Sequence, residues 1–249
     1  MNKNNILIEI ATFTPHSAIV ASQGGADRVE LCSGFSEGGL SPSAGSIRYV
    51  RSQLSIPVHV MIRPRVGDFV YNEVEKKIII QDIEFCKQEG INGIVFGALA
   101  PSGNIDLPFT RAVVDAARPM SVTFHRAFDL CHDLHGALND LMQCGVDRVL
   151  TSGGKPSAPQ ATGVITDLVK QAGENIIILP GGGLTPGNIA GFVAQTGVSE
   201  VHFSAKKLIR GKAIENREVS LMSEGQVDDY NWYECDPQQI SMLKKQLVN

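Results

Sequence analysis

The chain is predicted to fold as a single-domain (β/α)8 TIM barrel, on three observations. The first is a pattern met four times: ADRVELC after Gly25, INGIVFG after Gly90, VDRVLTS after Gly145 and VSEVHFS after Gly197. In each, a glycine suited to a left-handed helix cap leads through a polar turn residue into a short β-branched strand. The second is the spacing of these segments, 65, 55 and 52 residues, room for two helices and a further strand in each interval. The third is that the remaining strands are visible, as ILIEI (6–10), PVHVMIR (57–63), SVTF (121–124) and NIIILP (175–180). Eight near-continuously apolar strands alternating with helices call for a closed parallel sheet covered on its outer face. An open doubly wound sheet is the alternative, and it accounts less well for a pattern that recurs through residue 204.

The helices follow in order. Thr14-Pro15 opens one before ASQGG, and Asn72 to Gln88 forms a long one. Asp133 is placed as a helix N-cap, and Thr185-Pro186 opens a helix after the glycine triplet. Asp236-Pro237 opens the last. The barrel is expected over about residues 6–210, with 211–249 as a cap on the barrel or a dimer contact.

A chain of 249 residues, 43% of them hydrophobic, can bury a substantial core. The net charge of -4 and the lack of a clustered Lys/Arg run argue against a nucleic-acid surface or an anionic-membrane anchor. The expected partner is a small molecule or copper. The first apolar run is six residues long and contains Glu9, so it reads as neither signal peptide nor membrane span, and a cytoplasmic location is expected. Five cysteines, an odd number without CxxC, indicate free thiols, with Cys131 and Cys235 in the more exposed surroundings.

Active sites of such barrels lie at the carboxyl ends of the strands, and inward residues alternate along each strand. Parity pairs Glu9 with Ala11, Glu30 with Cys32, His59 with Met61 and Arg63, Thr123 with His125, and His202 with Ser204. With these faces inward, Glu9, Glu30 and His125 are the candidate catalytic residues. Arg63, Arg65, Asp68, Arg126, Asp129 and His202 are the candidate substrate contacts, with RPRVGDFVYN (63–72) long enough to act as a flap. A satisfied salt-bridge network that merely closes the barrel top is the competing reading. TSGGKP (151–156) and LPGGGLTPGN (179–188) follow strands 6 and 7, where glycine loops of barrels hold phosphate. Ser152, Gly153, Gly154, Gly181, Gly182, Gly183 and Ser204 are the expected phosphate contacts, and GGGLTPGN resembles the phosphate loop of phosphoribosylanthranilate isomerase.

Cys32 and Met61, on adjacent strands with matched parity, could meet as soft ligands for Cu(I). In CHDLH (131–135) the N-cap at Asp133 would spread the thiol and imidazoles round a helical turn, which argues against a metal there.

Taken together, GGADRVELC, EGGLSPSAG, MIRPRVGDFVY, VTFHRAFD, VLTSGG and PGGG resemble the CutC family, conventionally called copper homeostasis proteins, from about Ile8 to about Ser204. The resemblance implies a cytosolic TIM barrel, often a homo-oligomer, with Cu(I) binding through cysteine proposed for some members. Glu30, Cys32, Arg63, Arg65, Asp68, Tyr71, His125, Arg126 and Asp129 match its motifs. Two functional readings follow. One is copper homeostasis, with Cu(I) held weakly near Cys32. The other is a metal-independent isomerase or lyase acting on a small anionic, even phosphorylated, metabolite at the barrel mouth.

Overall fold

The computed structural model describes residues 6–213 and 229–248. Eight parallel strands run β1 (Leu7–Thr12), β2 (Arg28–Leu31), β3 (Val58–Met61), β4 (Gly93–Phe96), β5 (Ser121–Phe124), β6 (Arg148–Thr151), β7 (Ile177–Pro180) and β8 (Glu200–Phe203). They are hydrogen-bonded in the order β7-β6-β5-β4-β3-β2-β1-β8. The two end strands approach one another: a methyl group on Gly181, just past β7, would stand 3.2 Å from His202 on β8. The sheet is thus a nearly closed barrel, as the repeated pattern predicts.

Seven helices occupy the connections: α1 (Pro15–Gln23), α2 (Ala44–Gln53), α3 (Glu73–Gln88), α4 (Leu107–Ala117), α5 (Leu134–Gln143), α6 (Thr162–Ala172) and α7 (Ile189–Thr196). Their starts are chemically specified. Thr14 caps Ser17 N–H, Asn72 and Glu75 form a capping box, and Asp133 accepts from the N–H groups of His135 and Gly136. One start differs from the sequence expectation. Thr185-Pro186 makes a turn closed by Asn188, whose Oδ1 accepts Thr185 N–H at 2.8 Å, and α7 begins only at Ile189.

After β8 comes a hairpin of β9 (Lys206–Arg210) and β10 (Asn231–Cys235), and then α8 (Pro237–Val248). The described end of the segment read as a cap or dimer contact lies on the flank of the barrel. α8 packs between α7 and α1, completing the ring of helices, and Glu234 accepts from Thr14 and Ser17 at the start of α1. No helix among the described residues is long and apolar enough to cross a membrane.

The two faces of the sheet have opposite chemistry. Ile8, Ile10, Val29, Leu31, Val58, Val60, Ile94, Phe96, Val122 and Phe124 belong to the hydrophobic core shared with the helices. The alternate residues point to the barrel axis, and most of them are polar and buried: Glu9, Arg28, Glu30, His59, Thr123, Arg148 and Glu200. Room for the imidazoles comes from β4. A methyl on Gly93 would meet the His59 ring at 2.5 Å, and one on Gly97 the His125 ring at 2.4 Å. Any larger residue there would displace a buried ring.

Candidate functional site

Deepest in the barrel, Glu200 binds two guanidinium groups. Arg28 reaches it at 2.6 Å, Arg148 at 2.7 and 3.0 Å, and Arg28 also pairs with Glu9. Burial works against the charge of Glu200, yet its bonds to Arg148 and Arg28 leave the carboxyl below its usual range. Sequence reasoning missed these three residues. The signal was their parity: Arg28 lies two before Glu30, Arg148 two before Leu150, and Glu200 two before His202.

The next layer up is a row of two carboxylates with an imidazole between them. His202 Nδ1 lies 2.8 Å from Glu9 Oε1, and its Nε2 faces Glu30 Oε2 at 3.8 Å. Burial alone would raise the carboxyl of Glu9, but Arg28 and His202 hold it well below the carboxylate range. Burial would lower the imidazole of His202, but Glu30 and Glu9 raise it. Glu9 and His202 therefore stand as an ion pair. Glu30 is pushed upward by burial and by the charge of Glu9, so it carries a proton more readily than an ordinary carboxyl. Its Oε2 accepts from the Cys32 thiol at 3.5 Å, while Oε1 has no partner. Burial, then Glu30, raises that thiol well above its ordinary value.

Above this floor opens a cavity of about 300 Å³, walled by Glu30, Cys32, Met61, Arg63, His125 and His202 among others. Most of the parity set therefore converges on one space, with Glu9 just beneath it. Cys32 and Met61 stand side by side, one register step beyond the Leu31–Val60 pair, and pack with Val95. A methyl on Gly39 would touch both, at 3.6 Å from Cys32 Sγ and 3.4 Å from Met61 Cε. Glu9, Glu30 and His202 offer a second, harder donor group, within 4.8 Å of one another.

Other candidates are placed differently. Arg65 bonds Glu75 at 2.6 Å, Asp68 at 3.0 Å and the carbonyls of Val66, Asp68 and Val70, with its guanidinium over Tyr71. Arg65 and Asp68 thus stitch their own loop and lie off the cavity wall, so they are not placed as substrate contacts.

Asp129 is likewise consumed internally. Its carboxylate accepts from the N–H groups of Ser152 and Gly154 at 3.0 and 3.1 Å, from the hydroxyls of Thr151 and Ser152, and from Arg126. Gly153 N–H goes to Thr151 Oγ1. The anion expected in the Ser152–Gly154 loop is therefore the protein's own carboxylate, and the loop has no N–H left for an external one. Asp129→Ala is expected to leave several donors orphaned and cost about 2–4 kcal/mol in a urea titration. An unchanged midpoint would refute this account of the loop.

After β7, Gly181 N–H is bonded to Thr151 O. Gly182, Gly183 and Ser204 line the cavity rim beside Arg126. His132 and His135 do not converge with Cys131: His135 faces Gln171 across the α5–α6 groove. Nor are Cys131 and Cys235 exposed, since both are buried, as are all five cysteines.

Comparison with known proteins meets this geometry with one family. The CutC family model matches residues 6–207. The family protein CutC of Parabacteroides distasonis is 42% identical over 94% of this chain and 97% of its own length. The human copper homeostasis protein cutC homolog is 40% identical over 96% of this chain and 88% of its own. Among solved structures, the copper homeostasis protein CutC of Streptococcus agalactiae superposes with a TM-score of 0.76 at 31% identity, over 80% of this chain and 98% of that one. Phosphoribosylanthranilate isomerase of Thermotoga maritima, at 14% identity and a TM-score of 0.55, shares the fold alone. From its motifs, its barrel and these relatives, the chain belongs to the CutC family.

Proposed function

We propose that this chain serves copper homeostasis by taking Cu(I) weakly at the barrel mouth, with the Cys32 thiolate and the Met61 thioether as donors. One observation carries the reading: among the cavity-lining residues Cys32 is the one thiol, and a thioether stands beside it. Sulfur donors of this kind suit a soft monovalent ion. Weakness follows from the donor count and from a thiol held protonated by burial and by Glu30. Loading must release that proton, with Glu30 Oε2 as its nearest acceptor. A cytoplasmic, homo-oligomeric protein accompanies this reading through the family resemblance.

A Cu(I) competition titration against a strong chelator tests it. Affinity is expected to rise about tenfold per pH unit while the thiol remains protonated. Cys32→Ser should lose at least about tenfold, since a hydroxyl is a poor ligand for a soft ion. Cys131→Ser and Cys235→Ser should change little, because burial pushes those thiols to about 11 and about 12 and neither lines the cavity. A loss spread over all three variants would mean that copper finds any thiol, and the reading would fail. The isomerase or lyase alternative keeps the Glu9–His202–Glu30 row in its favour. The comparisons supply it with fold neighbours only.

A further inference from the structure

Three cations line the cavity, and they differ in how their charge is met. His202 is paired with Glu9, and Arg126 with Asp129. Arg63 is not paired. The residue is 6% exposed, and the hydrogen bonds of its guanidinium go to three carbonyls, those of Glu37 at 2.8 Å, Gly39 at 3.0 Å and Gly67 at 2.9 Å. Among the described residues no carboxylate forms an ion pair with it, and its Nε has no acceptor. Buried charges are normally paired, because an isolated one costs far more than carbonyl contacts return.

His125 shows a matching deficit beside it. Ala127 N–H donates to His125 Nδ1 at 3.1 Å, so the neutral ring carries its proton on Nε2. That Nε2–H has no acceptor either. The ring stays neutral, its pKa lowered to about 3 by burial and then by the Arg63 charge. One side chain links the two groups: the Phe69 ring lies 4.9 Å from the Arg63 guanidinium carbon and 4.7 Å from the His125 ring. Two buried N–H donors, one fully charged, thus flank the Phe69 ring on residues of the cavity wall, and neither has an acceptor. Native proteins rarely leave such donors unmet.

We propose that the cavity binds a small organic acid, whose carboxylate takes the Nε–H of Arg63 and the Nε2–H of His125. A carboxylate offers two oxygens for two donors and the charge that Arg63 lacks, whereas a phosphoryl group would need more donors than stand here. The cavity volume of about 300 Å³ sits at the small end of ligand pockets, which suits a metabolite of a few carbons. Glu30 Oε1, a third unpartnered atom on a residue of the same wall, can accept from a hydroxyl group of that acid. Phe69 packs against both side chains, so the acid can reach the two donors only if its ring turns aside. The bond from Leu99 N–H to Phe69 O holds the backbone in place meanwhile. The inference does not depend on copper.

Calorimetric titration of the full chain with acetate, L-lactate, pyruvate and L-malate at matched ionic strength tests it, with propane-1,2-diol as the uncharged counterpart of lactate. At least one acid should bind saturably at one per chain, and the diol should not. His125→Phe, which retains the stacking on Phe69, should weaken that acid about tenfold or more. Binding of the acid should be the same with a strong Cu(I) chelator present, which separates this result from the copper reading. Because His125→Phe could perturb the fold, nitrogen NMR of the unaltered imidazole supplies a second readout. It should show the Nε2–H tautomer, with the Nε2 resonance moving as the acid is added. Failure of all four acids, equal binding of the diol, or an Nε2 resonance that stays put at saturation would overturn the proposal.

Discussion

Glu200→Ala is expected to destabilise the protein by about 3–5 kcal/mol, the loss typical of removing one partner from a buried ion network. Arg28 and Arg148 are 3% and 7% exposed and converge on this carboxylate. Without it, Arg28 retains Glu9, but Arg148 retains only the hydroxyls of Ser121 and Thr123. Urea unfolding followed by circular dichroism should show a much lower midpoint at an unchanged slope. Glu89→Ala, which breaks the surface pair with Arg48, is the control and should do little. Equal effects of the two substitutions would contradict the view that the barrel axis is held by charge.

Acid is expected to unfold the protein early. His59 and His125 are held neutral by burial, with pKa values lowered to about 3 in the folded chain against roughly 6.5 when unfolded. Between those values the unfolded state binds more protons, so stability falls as pH falls, by up to about 1.4 kcal/mol per unit for each ring. Glu9 and Glu200, with lowered pKa values, add stability that is present above about pH 4.3 and lost below it. His202 acts in the opposite sense. Its raised pKa contributes fully below about pH 6.5 and is lost as pH rises through the folded value, which offsets part of the acid loss. The urea midpoint should therefore drop from pH 7 to pH 5, and in His125→Phe the drop should be less than half as steep, because His202 offsets part of what His59 alone contributes. A midpoint that stays level over that range would show that the two imidazoles are not kept neutral.

Much of this was legible in the sequence because barrels obey two simple periodicities. Glycine-led strands at regular intervals gave the closed sheet, and alternation along each strand brought Glu30, Cys32, Met61, Arg63, His125 and His202 to one cavity. Residues on loops escaped the same logic. Arg65, Asp68 and Asp129 have the charge of ligand contacts, but Arg65 and Asp68 bond groups of their own loop and Asp129 the N–H groups of the loop after β6, which spacing does not reveal. Arg28, Arg148 and Glu200 have the right parity yet lie at the opposite ends of their strands, where a search confined to the mouth does not look. Phe69 was hidden for a third reason. Its place between Arg63 and His125 depends on how the 63–72 loop folds back over β3 and β5, and no local pattern specifies that.

Sulfur ligation of copper at the barrel mouth is the central claim, and X-ray absorption at the copper edge, on protein loaded with one equivalent of Cu(I), tests it most directly. A thiolate from Cys32 and a thioether from Met61 should appear as two sulfur scatterers, and Cys32→Ser should leave one. A spectrum without sulfur, or one indifferent to Cys32→Ser, would contradict the claim.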